Sequence, residues 1–307
     1  MNNFNDVENS EEFKFFSNEL EKNIFFLESF ASHILYSGKV ITFISDKKVN
    51  ILNPILLQSC CKTLKNINYC CSTGSFSDAN TLIRKFRDDL LLYAFILDSS
   101  TKRNVFKSDE LNKLDLSNTK NFTQSFLSLT IDTTLSMDET AVAAWFENSV
   151  DQLSAKNRRR LSFDNYMTYL EQDDRIKQIL KDYKLEKYWT TLTTKLNDYV
   201  HNNGIKFTSH NLISLPNINL EVFLNNINFR ISYILTFFLI LILMIDSTLI
   251  RSDDMMDYLE NDIPPPEDLQ YDIAPFIQEY IDEKVVALHP ELKQYLKDNN
   301  INGMNIL

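Results

Sequence analysis

Four histidines, four cysteines and a few clustered arginines are the side chains in this 307-residue chain whose types and spacing could do chemistry. His201 closes the helical pattern Leu196-Asn197-Asp198-Tyr199-Val200. There the negative end of a helix dipole raises imidazole basicity and suits acid-base work, although a histidine at such a place more often serves as a plain helix end. Arg87 sits one turn from Leu91 on an apolar-faced helix, so its guanidinium could turn into a groove and hold a phosphate or carboxylate. Arg84 pairs one turn on with Asp88, which usually makes a solvated stripe. Arg158, Arg159 and Arg160, preceded by Lys156, form a compact basic cluster able to contact phosphates, but no aromatics interleave them to stack bases. Ser72-Thr73-Gly74-Ser75 precedes a helix start and could take an anion there, or be an ordinary loop and cap.

The cysteines stand as two adjacent pairs, Cys60-Cys61 and Cys70-Cys71, unlike zinc-type CxxC spacing or a secreted disulfide framework. With Cys60, Leu64, Ile67 and Cys71 on one helical face, burial of reduced thiols is the expectation, with no metal or other cofactor. Phosphate-cradling GxGxxG and GxxxxGK[ST] loops, HExxH, GxSxG and EF-hand loops do not occur, and four glycines leave little material for such loops.

Taken together, Arg87 and the helix end Tyr199-Val200-His201-Asn202-Asn203-Gly204 resemble the HEPN-type ribonucleases, all-helical proteins that commonly act in toxin and phage-defence systems. The resemblance implies metal-independent RNA cleavage, with Arg87 holding the phosphate and His201 moving the proton. It covers isolated residues only. That family leaves four to six residues between its arginine and histidine on one helix, and here Leu92, Tyr93 and Ala94 follow Arg87 at that distance.

These side chains must be positioned by helices. Apolar residues recur at steps of three and four over Glu11 to Tyr36, stopping at Ser37-Gly38. A second helical pattern runs from about Asp46, with Ser45 as a possible cap, to Cys71, its start open to delay by Pro54. A third, capped by Ser77, carries Ala79, Ile83, Phe86, Leu90 and Leu97 on one side. Residues 99–121 are rich in Ser, Asn, Asp and Lys, with one short amphipathic stretch at Leu111, Leu114 and Leu116, and read as a polar connector. Further helices are expected over Asp138 to Leu153, Ser162 to Leu170, Lys184 to His201 and Leu220 to Ile250. After Pro264-Pro265-Pro266 come two shorter ones, Ile277 to Val286 and Pro290 to Leu296. Lys39 to Ile44 could be a lone short strand. The expected fold is all-α, an irregular multi-helix bundle around the strongly apolar helix at about 220–250, with a small acidic C-terminal lobe. The regions would be 1–98, the connector 99–121, 122–250 with its apolar helix 231–250, and 251–307.

The segment Ile231 to Ile250 could face protein or lipid. About thirteen Ile, Leu and Phe at roughly −0.45 kcal/mol each favour insertion by about 6 kcal/mol, and one acidic residue near its end costs at most about 3. Length alone permits a span. The amphipathic helices upstream need a common partner, however, and favour a buried central helix. The N-terminus lacks a basic stretch followed by an apolar run and a cleavage site, so a cytoplasmic protein is expected, with a membrane-anchored single span as the alternative.

Charge is lopsided. Residues 246–307 hold 14 Asp/Glu against 4 Lys/Arg, nearly all of the net charge of −11. Nucleic acid would be repelled from that region, whereas a basic protein partner would be attracted. The leading expectation is therefore a non-enzymatic interaction or regulatory protein, with the ribonuclease and its RNA substrate, or a membrane-anchored regulator, as alternatives.

Overall fold

In the computed structural model the described residues are 5–36, 39–45, 48–106, 123, 129, 132–212, 219–254, 258 and 260–307. Helices dominate them, and the sheet is confined to two strands. The all-α bundle expected from periodicity is what forms.

After a short turn α1 (Asn5–Glu8), the helix α2 (Glu11–Tyr36) has the bounds its apolar period predicts. Glu11 and Glu12 sit at the positive end of its dipole, and Phe16, Leu20, Ile24 and Leu27 are buried on one face. The next element differs from expectation. Strands β1 (Ile41–Ile44) and β2 (Val49–Leu52) pair as an antiparallel hairpin, with Phe43 opposite Asn50, and α3 (Ile55–Ser72) starts only after Pro54. Periodicity carries this helix back to Asp46, but proline has no N–H for a helix interior, and Val49–Leu52 find ladder partners in β1. Ser45, expected as a cap, bonds across the hairpin turn to Lys48 O instead. Asp46 and Ser37-Gly38 lie outside the described residues.

The helix α4 (Phe76–Lys102) begins with Ser75 at its N-cap position, so Ser77, expected as the cap, is buried within the first turn. It also runs past Leu97 through residues assigned to the connector, because Asp98 and Lys102 pair one turn apart at 2.8 Å and Ser99 and Ser100 are covered by protein. Leu111, Leu114 and Leu116 lie outside the described residues. α5 (Met137–Phe146) opens on a capping box between Ser136 and Glu139, and a 3-10 turn Val150–Gln152 takes the place of its expected last turns. Then come α6 (Ala155–Arg158), α7 (Phe163–Leu170), α8 (Asp174–Asp182), α9 (Leu185–Val200) and α10 (Ile205–Ser209). Neither α8 nor α10 was expected. The buried face of α8 is only Ile176, Ile179 and Leu180, too short a pattern to stand out.

The long apolar helix is α11 (Leu220–Asp246), continued by a 3-10 turn Ser247–Ile250. It packs against α2 and α4, and 94% of its most apolar 18-residue stretch is buried in protein. Phe237, Leu239, Leu241 and Leu243, which point in different directions around the axis, are all covered. Trp189 of α9, Phe30 of α2 and Tyr93 of α4 supply aromatic cover from three sides. Asp246 at its end is neutralised by Lys39 at 2.6 Å.

The C-terminal lobe is attached to this centre by backbone bonds, Ala274 N to Ile250 O and Ile301 N to Leu243 O. Its helix α12 (Pro275–Tyr280) continues through a π-helical turn, Ile281–Val285, to Leu288, and α13 (Pro290–Asn299) follows. Buried side chains from Val7 to Ile306 belong to one contiguous core.

Candidate functional site

The structure places Arg87 at the bottom of a cavity of about 310 Å³ between α4, α7 and α9, lined also by Arg84, Asp88, Asp89, Asp164, Thr193 and Asn197. Its guanidinium is almost fully buried, and each of its three nitrogens has a protein acceptor. Nε and Nη2 donate to Asp88 Oδ1 at 2.9 and 2.7 Å, Nη1 donates to Thr193 Oγ1 at 2.9 Å, and the plane covers the Phe163 ring at 3.6 Å. Burial pushes the Arg87 guanidinium below its ordinary value and the Asp88 carboxyl above its own, the pair's mutual attraction opposing both shifts. Arg84 lies 3.8 Å from the same carboxylate. The arginine fork is thus occupied by protein: a phosphate entering here would have to displace Asp88 from Arg87 and would meet the carboxylates of Asp88 and Asp164, Asp89 being paired with Lys85.

His201 is exposed at the end of α9 and does not line this cavity. It lies eight residues beyond Thr193 on the same helix, about 12 Å along the axis. The arginine cluster is dispersed: Arg158 donates to Asp151 O, Arg160 meets Asn165 and Asp138, and Arg159 is exposed. Cys60, Cys61 and Cys71 are buried and Cys70 half-buried, all reduced. Burial raises each thiol, Cys61 to about 11, which keeps them protonated and unreactive near neutrality.

A different cleft pairs its lysines but not its glutamates among the described residues. Where α12 and its π turn pack against α2, a groove of about 320 Å³ opens. Phe26 stacks on Tyr280 with ring centroids 3.8 Å apart and approaches Phe276 at 6.3 Å, making an aromatic floor. Tyr280 is fixed by donating its hydroxyl to the buried Asn23. Phe25, 63% exposed, forms the outer wall. On the rim Lys22 and Lys284 both bind Glu19, at 2.8 and 2.9 Å, and the hydrogen bond from Lys22 is the chief reason that the Glu19 carboxyl is lowered. Glu21, Glu279 and Glu283 line the same groove, and none has an ion pair among the described residues. The π turn widens the helix where Glu283 and Lys284 face the groove, a distortion that recurs at functional positions.

Neither Phe25 nor the three glutamates could be singled out from sequence. Phe25-Phe26 is an adjacent aromatic pair, and only packing with a helix some 250 residues later decides which ring stays out. The one available signal was the excess of acid after residue 246. The chain matches no protein family, no curated protein and no solved structure.

Proposed function

We propose that this is a non-enzymatic interaction protein of the cytoplasm, whose groove between α2 and the C-terminal lobe receives a basic segment of a protein partner. One observation carries the reading: an aromatic floor is bordered by three carboxylates that form no direct ion pair among the described residues, Lys22 and Lys284 being held on Glu19. A lysine or arginine lays its aliphatic stem along Phe25 and Phe276, puts its charge over the ring faces and ends among the glutamates. An amphipathic helix with basic and apolar residues three and four apart fits a cleft between two helices. The covering of α11 by α2, α4 and α9 supports a core role for that helix rather than a lipid-facing one.

The test is fluorescence anisotropy with a labelled Lys/Leu amphipathic peptide. Binding that falls steeply with salt and is lost in an E21Q/E279Q/E283Q variant is expected. Equal binding by that variant, or by an acidic peptide of the same pattern, defeats the reading.

A further inference from the structure

Arg230, at the start of the apolar half of α11, differs from the other interior arginines. Arg87 has Asp88 at 2.7 Å, and Arg103, whose side chain is only 4% exposed, has Glu139 at 2.9 Å. Arg230 is 9% exposed, and no carboxylate among the described residues lies within ion-pair distance of it. Nη1 donates to the amide oxygen of Asn80, and the guanidinium carbon lies 5.9 Å from the Tyr199 ring. The rest of the fork has no protein acceptor among the described residues, and it is not sealed from solvent. A guanidinium that has given up most of its water for one neutral amide and a distant ring is left with unmet demand for an anion.

Other donors gather around it. Tyr199 Oη is 3.2 Å from His210 Nδ1, and Phe223 packs edge-on against that imidazole at 4.8 Å. When the tyrosine hydroxyl donates, the ring proton stays on Nε2, which is then the donor. The exposed Lys206 holds its ammonium 4.8 Å from the centre of the Phe207 ring, which lies 6.3 Å from the imidazole, and its charge and that of Arg230 both reach His210. Burial first, and then those two charges, keep the imidazole below its ordinary value, so it is neutral at pH 7.

We propose that Arg230, Lys206 and His210 form a binding site for a phosphate group, carried as the free ion or as a small monoester. The planar fork takes two phosphate oxygens, the ammonium supplies a second positive charge and His210 a neutral donor. Asn80 and Tyr199 are positioning residues that hold the fork and the imidazole.

The experiment follows the His210 imidazole signal by NMR while inorganic phosphate or phenyl phosphate is titrated at constant ionic strength. A saturable shift is expected, with the surface variant Lys206→Gln binding roughly tenfold more weakly, the equivalent of about 1.4 kcal/mol for one charge-assisted bond. Arg230→Lys, which keeps the charge but not the fork, should lose binding further. Binding of phenyl phosphate assigns the site to monoesters, and binding of inorganic phosphate alone assigns it to the free ion. The proposal is overturned if neither shifts the imidazole, or if Lys206→Gln, which leaves the fold alone, binds as the parent does.

Discussion

The cleft at Arg87 and the groove at Phe25 are similar in volume, lie between helices and carry both signs of charge, yet their charges are partnered differently. At Arg87 the guanidinium meets Asp88, Thr193 and Phe163, so its bonding capacity is met within the protein. At Phe25 the two lysines converge on one glutamate, and three others form no direct ion pair among the described residues. The difference teaches that a charged residue in a cleft points to a ligand only after its internal partners are counted. A met demand contributes to folding, and an unmet one is open to a partner.

The largest effect expected from breaking this arrangement lies in the core that both clefts share. Leu241→Asp places an unpaired charge among side chains of α2, α4 and α11 and should cost more than about 4 kcal/mol, seen as loss of cooperative unfolding in urea. Arg87→Ala comes next. It leaves the half-buried Asp88 with only the more distant Arg84 and removes the stack on Phe163, for about 2 kcal/mol measured from the denaturation midpoint. Phe25→Ala should sharpen the contrast, because this exposed ring contributes within about 0.5 kcal/mol to stability, while peptide affinity in the groove should fall several-fold. The smallest effect is one of pH. The Glu19 carboxyl is lowered in the folded protein by Lys22 and Lys284, so its contribution is present above its ordinary value of 4.5 and lost as pH falls through the lower folded value. Between about pH 5 and 3 the parent should lose more stability than Glu19→Gln, by urea midpoint.

Long amphipathic elements were legible from sequence because their apolar period runs over many turns: α2 has the bounds its pattern gives, and α11 is the apolar centre of the bundle. Val49–Leu52 was not, since four residues of alternating burial are too few to outweigh a helical pattern that continues after Pro54. The groove was hidden for another reason. Its floor joins Phe26 to Tyr280, a contact set by tertiary packing and invisible in any local window. Arg230 directly precedes the apolar run Ile231 to Ile250, and nothing in its neighbours along the chain foretells Asn80 and Tyr199 beside it.

The union of α2 with α11 and α12 also bears on how the chain is made. Once α2 leaves the ribosome, α3 can cover part of its apolar face, but Phe30 waits for Phe238 and Phe26 for Tyr280. At roughly 5–20 residues per second, about 12 to 50 s separate Tyr36 from Tyr280. Throughout that interval the aromatic face of α2 is open to other nascent chains, so the yield of native protein in cells should depend on holdase chaperones and fall when elongation is slowed.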